Sequence, residues 1–402
     1  MQPCQARIRL FSGIIFILIL INFPVCLFAQ MKTGADQTNQ YYPMLKGKQI
    51  GVVANNASVV LVDGVSGGIV NIVDRLVGSG IQVTKIFSPE HGFRIKAEAG
   101  EVVGNHVDSA TRIPVVSLYS KHKKPTTEDL AGLDLVLFDI QDVGVRFYTY
   151  ISTLAYVMEA CAENRIPLIV LDRPNPHGYY IDGPVLEQAF SSFVGMHPVP
   201  VVYGMTIGEY ARMINGEKWL KKGIQCTLQV IPMANYTHQS RYLFPVPPSP
   251  NLPNGNAISL YPSLCFFEGT VISVGRGTDF PFEVYGHPEM IGGLFTFIPR
   301  SIPGSSLHPP FEGIECRGFD LRGYSEKFPE GPERINLEWI IGACGNWKNK
   351  PGFFTDYFNQ LAGNATLKQQ IRDGKSEKEI RASWRPGIEK FRKIRIKYLL
   401  YK

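Results

Sequence analysis

Cysteine is scarce in this chain, which contains seven among 402 residues. None forms a C-x-x-C pair and no spacing matches a structural zinc site, so a zinc-stabilised fold is excluded. Five cysteines remain after the first thirty residues, and we predict buried thiols with at most one or two disulfides. Charged residues make up only 19% of the chain and hydrophobic residues 45%. That balance excludes an extended disordered protein.

Nucleotide-binding signatures are also missing. No G-x-G-x-x-G follows the first predicted strand, and no G-x-x-x-x-G-K-[ST] occurs anywhere in the chain. A dinucleotide is therefore disfavoured, and no cofactor is predicted. The sequence has no clustered His or Cys ligands, so no metal is predicted either. The open alternative is a hard cation held by Asp139, Asp142 and Asp172.

Positive charge is concentrated at the C-terminus. Residues 366–402 contain twelve Lys or Arg against four Asp or Glu, whereas the net charge of the whole chain is +6. We interpret this segment as the solvated face of terminal helices that dock through Ile388, Phe391, Ile394 and Tyr398. Contact with an anionic polymer or membrane surface is the alternative. The rest of the chain is close to neutral, so no nucleic-acid partner is predicted. No protein partner is predicted either.

The N-terminus has the pattern of a secretory signal peptide. Arg7 and Arg9 precede an apolar stretch at residues 14–28, which ends beside Ala29. The stretch is short for a membrane span. We predict a signal peptide at residues 1–29 and export to the periplasm or the medium, with membrane anchoring as the outcome if the segment is not cleaved. No stable membrane span is predicted after cleavage.

Five apolar runs of strand length occur between residues 50 and 171. Most are continuous rather than alternating, as strands covered on both faces require. Helical spacing falls between several of them, at residues 69–76 and most clearly at 147–161. This order predicts an α/β fold with a doubly wound parallel sheet. The predicted runs are residues 50–54, 83–87, 115–118, 133–140 and 167–171.

Polar clusters follow these runs directly. Ligands of open parallel sheets bind beyond the carboxyl ends of the strands, so successive clusters there indicate one site. The site residues predicted from them are Asn55, Ser58, Glu90, His91, Asp139, Gln141, Asp142, Arg146, Arg173 and Asn175.

Glu90 is the predicted general acid, because Pro89 and Gly92 impose an unusual backbone path that aims its side chain. A turn-stabilising role is the alternative. Asp139 is the next candidate carboxylate, and Asp142 is either catalytic or the cap of the following helix. His91 is a candidate general base or a loop histidine with a structural hydrogen bond.

Two arginines are candidates for binding a substrate carboxylate. Arg146 and Arg173 suit this role because a guanidinium donates a forked pair of hydrogen bonds. An internal ion pair with a nearby aspartate is equally compatible with the sequence. By contrast, Glu209 and Glu379 complete capping boxes with Thr206 and Ser376, which predicts structural roles for both glutamates.

A second region, residues 226–402, is richer in turns and aromatic residues and predicts a smaller α+β domain beside the sheet domain at residues 45–225. Its candidate contacts are Asn251 in a Pro-Ser-Pro-Asn segment, Glu268 in Glu-Gly-Thr, and Arg276 between two glycines. We expect these segments to close one side of the cleft.

Taken jointly, several motifs resemble those of the exo-acting β-N-acetylmuramidases of the NamZ type. They include Ser-Pro-Glu-His-Gly-Phe at residues 88–93, the segment at 139–150 that contains Tyr148, and Asp-Arg-Pro-Asn-Pro at 172–176. The resemblance covers essentially the whole chain after residue 46. It implies a Rossmann-like N-terminal domain, a cleft beside a smaller C-terminal domain, and release of N-acetylmuramic acid from peptidoglycan fragments. It also implies a catalytic role for Glu90. Tyr148, within the segment at 139–150, is a further candidate for substrate binding.

Two other functions stay open at this point. One is a peptidoglycan-binding protein without catalytic activity on the same scaffold. The other is an exported esterase or amidase that uses His91 with Ser88 or Ser120, although neither serine lies in the G-x-S-x-G setting of a nucleophile elbow.

Overall fold

The computed structural model describes residues 30–62, 68–94, 104–327, 331–348 and 350–401. The predicted signal peptide, residues 1–29, lies outside the described residues. Met31–Lys402 form one compact unit by their internal contacts.

A seven-stranded sheet is at the centre of this unit, in the order β5-β6-β4-β1-β7-β8-β9. Every neighbouring pair is parallel except β5 and β6, which are antiparallel. This confirms the predicted doubly wound parallel sheet. Its strands are β1 (Ile50–Ala54), β4 (Val83–Ser88), β5 (His106–Val107), β6 (Pro114–Ser117), β7 (Leu135–Asp139), β8 (Leu168–Leu171) and β9 (Leu228–Ile231). Two further strands, β2 (Val59–Leu61) and β3 (Ile69–Asn71), form a separate antiparallel pair.

The burial of the strands explains their sequences. Every residue of β1, β7 and β8 is buried, so continuous apolar runs satisfy both covered faces. The chain adds β4 and then β6 on one side of β1, and β7, β8 and β9 on its other side. The direction in which strands are added therefore changes at β1, whose neighbours are β4 and β7. A crevice for ligands is therefore expected at the carboxyl ends of these three strands.

Helices cover both faces of the sheet and make up much of the later part of the chain. They are α1 (Thr38–Leu45), α2 (Ile72–Gly78), α3 (Thr127–Leu130), α4 (Tyr150–Asn164), α5 (Ile207–Gly216), α6 (Gly255–Leu264), α7 (Tyr324–Lys327), α8 (Glu338–Gly345), α9 (Tyr357–Ala362), α10 (Thr366–Arg372) and α11 (Glu377–Arg395). The capping boxes predicted at Thr206 and Ser376 begin α5 and α11.

The helix predicted over residues 69–76 is wrong in its first turn. Ile69 and Val70 belong to β3, because β-branched residues suit a strand that pairs with β2. The helix begins only after Asn71, whose side chain accepts a hydrogen bond from the backbone N–H of Val73.

The later part of the chain has the predicted α+β character. A three-stranded antiparallel sheet has the order β10-β12-β11, formed by Val284–His287, Cys316–Asp320 and Phe295–Phe297. In the chain, these three strands lie between α6 and α7. The seven-stranded sheet extends past residue 226, where the second domain is predicted to begin, because β9 pairs with β8.

The five cysteines in the described part of the chain are buried and no disulfide joins them, which confirms the prediction of buried thiols. No described helix is both long and apolar enough to cross a membrane.

Candidate active site

A cavity of about 270 Å³ opens where the loops after β4 and β7 meet the later part of the chain. Glu90 and His91 reach it from the loop after β4, and residues 147–150 line it from the start of α4. Residues of the 249–252 loop and of the segment from Glu268 to Arg276 also line it. The cavity lies beside the carboxyl end of β1, as the sheet order requires. Its lining residues are Glu90, His91, Tyr119, Phe147, Tyr148, Thr149, Tyr150, Phe193, Val194, Ser249, Asn251, Leu252, Tyr261, Glu268, Arg276, Phe282 and Tyr357.

Glu90 is held by the start of α4. Its Oε2 accepts a hydrogen bond of 2.9 Å from the Thr149 hydroxyl, and its backbone carbonyl accepts a longer one, 3.5 Å, from Tyr150. The backbone turns sharply directly after it, since His91 and Gly92 both have positive φ, at 72° and 75°. A left-handed conformation is unusual for His, and it directs the residue 90–91 pair out of the sheet edge into the cavity.

His91 lies between this cavity and a second one. Its Nε2 is 3.3 Å from the Ser249 hydroxyl. The second cavity, of about 490 Å³, shares His91, Tyr150 and Ser249 with the first and is walled by the proline-rich loop at residues 245–250. Asn55 lines this second cavity and donates a hydrogen bond of 3.0 Å to the Tyr150 hydroxyl.

The segment from Glu268 to Arg276 contributes an ion pair to the lining of the first cavity. Arg276 Nε donates a hydrogen bond of 2.6 Å to Glu268 Oε1, while the Cys265 thiol lies 3.5 Å from Glu268 Oε2. The guanidinium carbon of Arg276 stands 5.0 Å from the centre of the Phe282 ring. Burial lowers the pKa of Arg276, but the charge and hydrogen bond of Glu268 raise it by more, so the net pKa lies above the ordinary value. Arg276 therefore stays positively charged.

Tyr357 lines the cavity together with the two carboxylates. Burial is the main cause that raises the pKa of Tyr357, and the charges of Glu268 and Glu90 raise it further. Glu90, Glu268 and Tyr357 all line this one cavity.

Seven predicted site residues line the two cavities: Asn55, Glu90, His91, Tyr148, Asn251, Glu268 and Arg276. Tyr148 donates its hydroxyl proton to the carbonyl of Pro248 at 2.8 Å. The Asn251 side chain exchanges hydrogen bonds with Ser305 at 3.0 and 3.1 Å. Both residues therefore join the walls of the cavities as well as facing into them.

Asp139 and Arg173 do not reach the cavity, and the expectation that they converge there with Glu90 is wrong. They form a sealed ion pair, with side-chain exposures of 0% and 2%. Arg173 Nε and Nη2 donate to the two Asp139 oxygens at 2.6 and 2.8 Å, and Nη2 also donates to the carbonyl of Val59 at 2.9 Å. The internal ion pair, the alternative weighed for Arg173, is what the fold contains.

Arg146 is also occupied inside the protein, so its predicted contact with substrate is wrong. The side chain is fully buried, and its terminal nitrogens donate to four backbone carbonyls at 2.8–2.9 Å. These carbonyls belong to Pro184, Val199, Leu361 and Ala362. Arg146 therefore ties the end of the sheet domain to helix α9.

The remaining predicted residues support the loops behind the cavity wall. Asp142 Oδ2 accepts hydrogen bonds from the Tyr203 hydroxyl and from the backbone N–H of Gly144, and burial raises the pKa of Asp142 to about 6. Three others bond to backbone atoms: Gln141 to the carbonyls of residues 142 and 174, Asn175 to that of residue 205, and Ser58 to that of residue 139. None of these four residues lines the cavity among the described lining residues, so direct substrate contact is not supported for them.

The esterase or amidase alternative needs Ser88 or Ser120 as the nucleophile, and neither serine lines the cavities. Ser88 is fully buried in β4, and Ser120 lines neither cavity.

Sequence reasoning missed Thr149, Phe193 and Tyr357. Thr149 lies inside the quoted 139–150 segment, but a threonine beside a helix start is usually interpreted as a cap. Phe193 and Tyr357 come from a loop and from the start of α9, and no local pattern connects them with Glu90.

Comparison with known proteins gives the family. The model for the N-terminal part of the exo-β-N-acetylmuramidase NamZ matches residues 50–256, and the model for its C-terminal part matches residues 259–401. The peptidoglycan β-N-acetylmuramidase NamZ of Bacillus subtilis is 40% identical over 391 residues, which cover 92% of each chain.

Two crystal structures of DUF1343 family proteins from Bacteroides fragilis have the same fold. One is 44% identical with a TM-score of 0.83, covering 93% of this chain and 99% of that protein. The other is 27% identical with a TM-score of 0.74, covering 92% and 99%. Together with the two family models, these matches extend over nearly the entire described sequence, and the chain belongs to the NamZ family of exo-β-N-acetylmuramidases.

Proposed function

We propose that this protein is a glycoside hydrolase that releases N-acetylmuramic acid from the non-reducing ends of peptidoglycan fragments. Family membership supports the reaction. The observation that carries its assignment to this cavity is the placement of Glu90, which lies after the carboxyl end of β4 and lines an aromatic-walled hollow that a second carboxylate, Glu268, also lines. Glycoside hydrolysis generally uses two carboxyl groups on either side of the scissile bond.

Glu90 acts as the general acid that protonates the leaving oxygen. Thr149 occupies one carboxyl oxygen, Oε2, and so fixes the direction of the other. Glu90 also precedes His91, which lines both cavities. An acid has to lie beside the oxygen that joins two sugars, and the junction of two sugar-sized hollows is where that oxygen would lie.

Glu268 is the second carboxyl group. It is the one other Asp or Glu among the described residues that line the first cavity. Arg276 Nε donates a hydrogen bond to its Oε1 at 2.6 Å, which leaves the other carboxyl oxygen available to act as a base or nucleophile. This assignment replaces Asp139 and Asp142, which are enclosed by the fold.

The two cavities divide the substrate between them. The first cavity, with its carboxylates and aromatic walls, takes the terminal sugar that is released. The second, with Asn55, Asn56 and the proline-rich loop, takes the next sugar of the chain. Apolar walls with a few placed amide groups are typical of small-ligand sites.

Export to the compartment that contains peptidoglycan is also part of the proposal. The basic, apolar and small-residue order at residues 1–29 supports a secretory signal. Fractionation of the native host, with N-terminal sequencing of the mature protein, tests it. A protein recovered from the cytoplasm with residues 1–29 intact would contradict export.

The reaction is tested with 4-nitrophenyl β-N-acetylmuraminide and the Glu90→Gln variant. We expect the wild-type protein to release nitrophenol and N-acetylmuramic acid, and Glu90→Gln to lose at least about a hundredfold in kcat. Turnover of the variant within threefold of wild type would remove Glu90 from the mechanism. Tight binding of the glycoside without turnover by the wild type would instead indicate a binding protein.

A further inference from the structure

The first cavity contains one basic side chain of the Lys and Arg type among its described lining residues, Arg276. Arg146 and Arg173, the arginines first expected to meet a substrate carboxylate, bond to backbone carbonyls and to Asp139 instead. The same cavity contains Glu90 and Glu268. An anionic sugar that enters it meets two carboxyl groups, so its charge needs a cationic partner with hydrogen-bond donors to spare.

Arg276 has such donors. Its guanidinium carries five N–H groups, and Glu268 takes the one on Nε. No hydrogen-bond acceptor among the described residues reaches Nη1, although that atom is buried. A buried N–H without a partner costs free energy, and more so on a charged group. A ligand acceptor placed there would remove this cost.

The backbone holds this guanidinium in a fixed position. Gly275 and Gly277, on either side of Arg276, have φ values of 77° and 79°. A Cβ at position 277 would lie 2.5 Å from the Pro309 ring, so the turn is packed tightly against its neighbours. With Phe282 beside the guanidinium and Glu268 on Nε, the terminal nitrogens keep one orientation, which reduces the entropy lost on binding.

We infer that Arg276 binds the carboxylate of the lactyl ether that distinguishes N-acetylmuramic acid from N-acetylglucosamine, and that it thereby sets the sugar specificity of the enzyme. The inference rests on the proposed function and adds a specificity residue to it. A glucosaminide lacks this carboxylate and leaves Nη1 without an acceptor. Sites built around a charged hydrogen bond reject analogues that lack the partner group.

The test compares two substrates that differ only in the lactyl ether, the 4-nitrophenyl β-glycosides of N-acetylmuramic acid and N-acetylglucosamine. We expect the wild type to prefer the muraminide, and Arg276→Gln to lower kcat/KM for it by between about ten- and a hundredfold more than for the glucosaminide. Competitive inhibition by free N-acetylmuramic acid is expected to weaken by a similar factor in the variant, with inhibition by N-acetylglucosamine little changed.

A purely structural role for Arg276 predicts a different result. If Arg276 serves only to hold Glu268, both glycosides lose activity by the same factor in Arg276→Gln and the ratio of their kcat/KM values stays at the wild-type level, which overturns the inference. Wild-type protein that hydrolyses neither glycoside overturns the proposed function instead, so the two failures are distinguishable.

Two further variants complete the test. Arg300→Gln removes an exposed arginine paired with Asp279, outside the cavity, and is expected to keep the wild-type ratio. Arg276→Lys retains the charge but not the fork, so it is expected to lie between wild type and Arg276→Gln in specificity. If Arg276→Gln fails to fold by circular dichroism, Arg276→Lys decides, and a wild-type ratio in it contradicts the inference.

Discussion

The Thr149 hydroxyl donates a hydrogen bond of 2.9 Å to Glu90 Oε2, which connects the loop after β4 with the start of α4. Thr149 is the N-cap residue of α4, yet its side chain makes no capping hydrogen bond to that helix. The hydroxyl is therefore directed at Glu90 rather than at the backbone. Two strands on either side of β1 supply the two partners, so the strand order itself positions the acid.

Thr149→Val tests this positioning. The variant keeps the shape of the side chain but removes the donor to Glu90, and we expect kcat to fall by about tenfold with KM little changed. The free energy of unfolding should change little, because the hydroxyl does not cap α4. Thr149→Ser, which retains the hydroxyl, serves as the control and should keep most of the activity. A loss of stability without a loss of kcat would assign Thr149 to the fold alone.

Glu268→Gln tests the second carboxyl group. We expect kcat for the muraminide to fall by at least about a hundredfold, because an amide is neither a base nor a good nucleophile. The measurement is steady-state kinetics with the 4-nitrophenyl glycoside. Glu289→Gln, at an exposed glutamate after β10, should leave kcat unchanged. Activity of Glu268→Gln near that of wild type would return the search for a second carboxylate to the remaining acidic residues.

Arg173→Met tests the sealed ion pair. Removing the arginine leaves the Asp139 carboxylate buried without its partner, and such a change typically costs about 3–5 kcal/mol of stability. Urea unfolding measures it. Arg300→Met, at the exposed pair with Asp279, should cost no more than about 1 kcal/mol. If Arg173→Met keeps wild-type stability but raises KM many-fold, the original interpretation of Arg173 as a substrate ligand would be right after all.

The sheet and its functional edge could be predicted from the sequence because their signal is local. Continuous apolar runs such as residues 50–54 occur only where a strand is covered on both faces. The polar residues that follow at 55 and 90 then mark the carboxyl edge. The sequence alone does not place the start of this helix at residue 72. Ile69 and Val70 are compatible with a helix or a strand, and only the pairing with β2 assigns them to a strand.

The inward position of Arg146 and Arg173 could not be predicted, because only the assembled fold brings these arginines to their hydrogen-bond partners. Arg146 bonds to the carbonyls of Leu361 and Ala362, more than two hundred residues away. Arg173 finds Asp139 on the neighbouring strand tip. An arginine after a strand looks the same in the sequence whether it turns inward or outward, and only the assembled fold decides. Arg276, by contrast, does line the cavity. Its turn lies in a later segment of the chain, beside Glu268.

Asp172, at the end of β8, shows how the C-terminus completes the sheet domain. Its Oδ2 accepts hydrogen bonds from the Tyr401 and Thr206 hydroxyls at 2.6 and 2.7 Å, and its Oδ1 accepts one from the backbone N–H of Gly208 at 2.8 Å. Burial outweighs these bonds, and the nearby charge of Glu209 adds to it, so the pKa of Asp172 is raised from 3.8 to about 7.

This shift predicts a pH dependence of stability. Between about pH 4 and pH 7 the folded chain retains the Asp172 proton that the unfolded chain releases, so the contribution of Asp172 to the free energy of unfolding decreases as the pH rises and levels off above about pH 7. His177 and His197 act in the opposite direction, because burial lowers the pKa of both to about 4 and the unfolded chain binds their protons over much of the same range. In Asp172→Asn the Thr206 and Tyr401 hydroxyls can turn and accept hydrogen bonds from the amide, and the dependence should weaken by roughly 4 kcal/mol across that window. Asp142, whose pKa of about 6 is also raised by burial, contributes with the same sign as Asp172, and it is present together with the two histidines in both wild type and variant, so the difference between the two curves reports Asp172. Urea unfolding at several pH values, with exposed Asp279→Asn as the control, measures the difference, and parallel curves for Asp172→Asn and wild type would show that Asp172 does not titrate in this range.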